Sequence, residues 1–120
     1  MKLYIGGCAQ GKMDYVARKT GLTPVPVDMN TALTAPLITG FHRIIREVLS
    51  SGADPEAYAE KLVAENPDAV VISDEVGMGI VPLDRDERIW REAVGRALCV
   101  IARHAVSVER IACGYGVKIK

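Results

Sequence analysis

Lys2-Leu3-Tyr4-Ile5-Gly6-Gly7-Cys8-Ala9-Gln10-Gly11-Lys12-Met13 is the stretch whose reading decides the fold. Lys2 to Ile5 reads as a short apolar strand, and the glycine-rich loop after it opens a helix from about Lys12 to Thr20, which Gly21 can terminate. Gly6 and Gly11-Lys12 have the spacing of a phosphate-binding (Walker A) loop. In such a loop backbone N–H groups cradle phosphates and the lysine reaches the outer ones. Gly6, Gly7, Cys8, Ala9, Gln10, Gly11, Lys12 and Met13 are therefore candidate contacts to a nucleotide, ATP or GTP. An accidental glycine turn is the plainer alternative. The strand before the loop and the helix after it favour the phosphate reading. The position after the lysine calls for Ser or Thr, whose hydroxyl binds magnesium. Met13 stands there, and a thioether is a poor ligand for a hard cation, so magnesium-assisted chemistry is in question. Cys8 lies near a helix N-terminus, which favours a thiolate, but a small side chain that fits the loop is the simpler account.

Outward from the loop, composition bounds the rest. At 120 residues and 49% hydrophobic, the chain reads as one domain over residues 1–120 with a core of useful size, which argues against disorder. Fifteen basic and fifteen acidic side chains cancel, and nothing in that balance points to nucleic acid or a membrane surface. No apolar run reaches bilayer length, and the N-terminus lacks a long apolar leader core. Cys8, Cys99 and Cys113 are odd in number and far apart, with no CxxC and no Cys/His cluster. That pattern argues against structural zinc and a disulfide framework, and it makes a reducing cytoplasm the expected setting.

Further along, Thr23 to Val27 is a candidate second strand that Pro24 and Pro26 demote to an edge or extended segment. Met29 to Pro36 reads as loop. Leu37, Ile38, Phe41, Ile44, Ile45, Val48 and Leu49 recur at helical spacing, which predicts a helix running to about Ser50. Asp54 caps the next helix, with Pro55 at its first position, and Asn66-Pro67-Asp68 breaks it. Ala69 to Ser73 is an unbroken apolar run, as expected of a strand buried on both faces. A glycine-rich loop over Gly77 to Pro82 leads to a long helix from about Arg85 to His104. Val108 to Cys113 and Val117 to Ile119 read as the last strands, with Gly114-Tyr115-Gly116 between them. Strands alternating with helices predict a three-layer α/β fold with a mainly parallel sheet.

Asp74 and Glu75 stand at the C-terminal end of the third strand, where ligands of open α/β sheets bind. Asp74 is a candidate magnesium ligand and Glu75 a candidate general base, against the plainer reading of a helix cap or salt bridge. Arg85, Arg88 and Arg91 share one helix face, and Arg96 lies further along. Arginine forks suit phosphate oxygens, although a solvated face is the commoner explanation of such a run. Neither His42 nor His104 has a visible catalytic partner in the sequence, so both read as structural.

Glu75-Val76-Gly77-Met78-Gly79-Ile80-Val81-Pro82, then Arg85, Arg88, Arg91 and Gly95-Arg96, then Gly114-Tyr115-Gly116-Val117-Lys118-Ile119-Lys120, closely resembles the bifunctional cobinamide kinase/cobinamide-phosphate guanylyltransferase family, and the N-terminal Gly-Gly-x-x-x-Gly-Lys matches as well. The resemblance is strong over Ala69 to Lys120 and the first dozen residues, and weak between. It implies a RecA-like P-loop NTPase fold, a homotrimer, phosphorylation of a hydroxyl of adenosylcobinamide, and GMP transfer through a guanylylated histidine. By that resemblance Lys12 and Glu75 are the catalytic candidates, and Arg88, Arg91 or Arg96 faces phosphate or a neighbouring subunit.

The departures from the family pattern carry as much. The family usually has serine where this chain has Met13, and its usual asparagine shortly after Gly-Arg is replaced by Leu98. Asp74 stands where an asparagine is common, which offers a substitute metal ligand. The middle segment is compressed, with no counterpart of the guanylylated histidine. Leu37-Ile38-Thr39-Gly40 occupies the Walker B-like place without a carboxylate. The expectation is a nucleotide-binding protein with kinase chemistry weakened and guanylyl transfer lost. The alternative is a protein that kept the fold for nucleotide binding or subunit contact and lost the chemistry.

Overall fold

The computed structural model describes residues 1–76 and 84–120, so the glycine-rich loop expected over Gly77 to Pro82 lies outside the described residues. The described elements are β1 (Lys2–Gly6), α1 (Lys12–Thr20), a single 3-10 turn (Thr31–Leu33), β2 (Leu37–Ile38), α2 (Phe41–Ser50), α3 (Pro55–Glu65), β3 (Val70–Asp74), α4 (Arg85–His104), β4 (Ser107–Ala112) and β5 (Tyr115–Lys118). They build a five-stranded sheet in the order β2-β3-β1-β4-β5. The first four strands are parallel and β5 runs antiparallel to β4.

Side-chain alternation along the strands divides the core into two layers. On one face Leu3, Ile38, Val71 and Val108 pack against α2, α3 and α4, with Phe41, Ile45, Leu62 and Ile101 fully buried. On the other face Tyr4, Leu37, Val70, Ile72 and Ile111 pack against Val16 of α1. Each such fully buried side chain contributes about 1.5–3 kcal/mol relative to exposure. β3 has apolar side chains on both faces because both are covered, as its unbroken apolar run predicted. The result is the three-layer, mainly parallel α/β arrangement expected.

Three local expectations are corrected. Thr23 to Val27 forms no strand; Pro24 and Pro26 lack the N–H groups a ladder needs. Leu37 and Ile38 are not the start of a helix. They pair with Val70 and Val71 as β2, and Gly40, in the left-handed region at φ 64°, turns the chain into α2 at Phe41. Their helical spacing with Phe41 is a coincidence of two buried strand residues pointing to opposite faces. Finally, Tyr115 and Gly116 belong to β5. The β4–β5 turn is only Cys113-Gly114, both at positive φ (51° and 80°), the conformation a tight two-residue hairpin requires.

The caps follow the sequence. Asp54 accepts the Glu56 N–H at the start of α3, and Asp84 accepts those of Asp86 and Glu87 at the start of α4. Asn66, at the end of α3, donates from Nδ2 to the carbonyls of Ala32 and Ala35, both at 2.8 Å, and so fastens the 3-10 segment to the body. No helix among the described residues is long and apolar enough to cross a membrane.

Candidate functional site

The loop between β1 and α1 is shaped by backbone constraints. Gly6 ends β1 so close to β4 that a Cβ there would collide with the carbonyl oxygen of Ile111. Ala9 (φ 58°) and Gly11 (φ 84°) both adopt left-handed backbone, which folds the loop tightly over the start of α1. Gln10 braces it from the far side. Its Oε1 accepts the Cys113 N–H at 2.7 Å and its carbonyl accepts the Gly114 N–H at 2.8 Å.

Lys12 is only 8% exposed, and its ammonium lies inside the loop. Nζ donates to the Gly7 carbonyl at 2.6 Å and pairs with Asp74 Oδ1 at 2.7 Å. A buried ammonium demands such partners, since desolvating an unpaired charge is costly. The pairing exists because β1 and β3 are neighbours in register, with Gly6 opposite Asp74.

His42, read from the sequence as structural with no visible partner, does have partners in the structure. Its Nδ1 accepts the backbone N–H of Asp74 at 3.1 Å, and its Nε2 lies 3.4 Å from Asp74 Oδ2. The first contact assigns the proton to Nε2. Burial pushes the imidazole below its ordinary value; Asp74 opposes that, and Arg43 and Lys12 reinforce it. His42 is therefore neutral at pH 7. Its own carbonyl accepts the Trp90 indole N–H at 2.8 Å, and the Arg46 guanidinium lies 3.9 Å over the Trp90 ring. The other histidine, His104, is half-exposed at the end of α4, 3.6 Å from Glu60.

A cleft of about 290 Å³ opens between the loop, Gly40, His42, Arg43 and Asp74. The first turns of α1 and α2 both line it, and neither helix has a side-chain cap. Two uncapped helix N-termini and the Lys12 and Arg43 side chains make it suited to a multiply charged anion. Cys8, Ala9, Gln10, Gly11 and Met13 line the cleft as well, with Met13 39% exposed.

The other anticipated residues lie elsewhere. Glu75 is held by Arg110, with Nη2 2.8 Å from Oε1 and Nε 3.2 Å from both oxygens, and it lines a different, apolar cleft beside α4. It does not join Lys12 and Asp74. Arg96 sits 4.0 Å from Glu92 and lines a third cleft with Ile89 and Pro55. Arg88 and Arg91 do not line the loop cleft. Arg43 was missed by sequence reasoning. Reading Leu37-Ile38 as a strand would have found it, because residues just past a strand's C-terminal end face the ligand in such sheets.

The residues present fit a magnesium ion poorly. Met13 offers a thioether, Thr39 stands after β2 where a carboxylate would be wanted, and Asp74 is occupied by Lys12. No group of three His, Cys, Asp or Glu side chains gathers anywhere among the described residues.

A glycine loop between β1 and α1, with a buried lysine at its centre and the cleft beyond the carboxyl ends of parallel strands, defines a P-loop type α/β protein. Residues 6–119 match the family described as cobinamide kinase / cobinamide phosphate guanyltransferase, and the chain belongs to that family. It is similar to the bifunctional adenosylcobalamin biosynthesis protein CobU of Escherichia coli and to that of Salmonella typhimurium. Each is 45% identical over 51 residues, which cover 42% of this chain and 28% of the relative. The match thus spans little more than a quarter of those relatives' length.

Proposed function

We propose that the loop cleft holds the polyphosphate of ATP or GTP, and that the chain serves cobalamin biosynthesis as a cobinamide kinase-type phosphotransferase. One observation carries this reading: the buried Lys12 ammonium lies at the centre of a Gly6–Gly11 loop lined up with two uncapped helix N-termini. Lys12 would exchange its present partners for the outer phosphate oxygens, and Arg43 would lie across the cleft from it. The acceptor hydroxyl would attack the terminal phosphorus and lose its proton to solvent, the bond to the bridging oxygen would break, and the nucleoside diphosphate would leave. Positioning and charge neutralisation are what these residues supply. Guanylyl transfer is outside this proposal, because the histidine that the resemblance requires has no counterpart. Self-association as a trimer is the expectation that the resemblance carries, and light scattering measures it.

A second reading is favoured by Met13 and Thr39 together: the chain binds nucleotide but transfers nothing. Calorimetric titration with ATP and GTP, with and without magnesium, separates the readings when it is followed by a cobinamide phosphorylation assay. The kinase reading expects micromolar nucleotide binding and transfer of the terminal phosphoryl group. It further expects Met13→Ser, at a part-exposed position that tolerates the change, to strengthen binding several-fold in magnesium only. Binding without transfer in either form supports the second reading. No binding of either nucleotide overturns both.

A further inference from the structure

We propose that Asp74 is an internal competitor for the phosphate site: its carboxylate takes the place on Lys12 that a ligand phosphate must occupy. This inference rests on the phosphate-site reading above. Among the described residues Lys12 has two partners, the Gly7 carbonyl in the loop and Asp74 Oδ1 at the end of β3, and of these Asp74 carries the charge. The Asp74 side chain is 24% exposed and lines the cleft while in contact with the ammonium. A phosphate that engages Lys12 must either displace this carboxylate or lie against it, and like charges at that separation repel. The displaced carboxylate has a place to go. His42 Nε2, which carries a proton, already lies 3.4 Å from Oδ2, and the Asp74 backbone stays fixed by its N–H bond to His42 Nδ1. Asp74 therefore sets how much negative charge a ligand needs to open the site. An asparagine at this position keeps the shape and the backbone hydrogen bond, and loses the competition.

The test is titration with inorganic tripolyphosphate in metal-free buffer, using the native chain, Asp74→Asn and Asp14→Asn. Asp14 also lines the cleft but has no ion pair to Lys12 among those described. Asp74→Asn should bind tripolyphosphate at least about tenfold more tightly than the native chain, within the usual range of coupling between interacting sites. That gain should persist at high salt, because a contact ion pair in a part-buried site is screened little. Any gain from Asp14→Asn should be smaller and should vanish with salt. Thermal melts check that the variants are folded, and Asp74→Ala serves if Asp74→Asn is not. Equal or weaker binding by the Asp74 variants, or a gain no larger than that of Asp14→Asn, overturns the inference and leaves the phosphate site standing. No tripolyphosphate binding by any form overturns the phosphate-site reading, and this inference with it.

Discussion

Gln10 reaches out of the β1–α1 glycine loop to Cys113 in the β4–β5 turn, with its Oε1 accepting the Cys113 N–H at 2.7 Å. The contact joins residues 103 positions apart and makes the C-terminal hairpin one wall of the N-terminal loop. The neighbouring bond from Gly114 N–H to the Gln10 carbonyl doubles it.

Gln10→Ala removes the side-chain half of this brace. The expected loss of stability is about 1 kcal/mol, the usual net worth of one hydrogen bond, read as a fall of a few degrees in the melting midpoint. Tripolyphosphate binding should weaken several-fold, because the loop loses a restraint on its bound shape. Calorimetry on the variant, melted in parallel, checks both. Unchanged affinity would show that the hairpin does not shape the loop.

Gly116 in β5 faces the hydroxyl of Tyr15, and a Cβ at Gly116 would collide with it. That hydroxyl donates to Glu109 Oε1 at 3.0 Å, and Glu109 also receives Lys19 Nζ at 2.7 Å. The three side chains fasten α1 to β4. Gly116→Ala should cost about 1–3 kcal/mol through overpacking. In a Tyr15→Ala background the same change should cost less, since the hydroxyl and the ring carbons it strikes are both gone. Urea unfolding of the four forms measures the coupling, and strict additivity would count against the collision.

His42 gives stability a pH dependence of known sign. Its folded-state value is depressed, chiefly by burial, below the ordinary 6.5. Above that value the imidazole is neutral in both states and its contribution is full. As pH falls, the unfolded chain takes up the proton first, and stability is lost until the folded-state value is passed. Glu109 acts lower. Burial pushes its carboxyl up, but the bonds from Lys19 and Tyr15 outweigh that and leave it below 4.5, so its share is lost only as pH falls through that lower range. Urea unfolding between about pH 7.5 and pH 5 should show a decline that shrinks in His42→Asn, whose amide oxygen can still accept the Asp74 N–H. An identical slope in both forms would remove His42 as the source.

Much of the fold was legible because it is written locally. The β1–loop–α1 unit, the Asp54-Pro55 cap and the two-sided apolar run of β3 each follow from short-range rules of backbone geometry and burial. β2 was not legible. Two residues are too few to carry a period, and Leu37-Ile38 become a strand only because Val70-Val71 lies alongside to pair with them. That single misreading hid Arg43 and the contact of His42 with Asp74.

The sequence by itself determined the glycine loop between β1 and α1, the layered α/β class and the family, because spacing and residue type are enough for a glycine loop and for buried periodicity. Only the tertiary structure decided which carboxylate meets Lys12. Asp74 and Glu75 are adjacent in the chain and alternate across the strand end. Strand alternation turns one into the loop cleft against Lys12 and sends the other to Arg110 beside α4, and no property of the two residues alone distinguishes them.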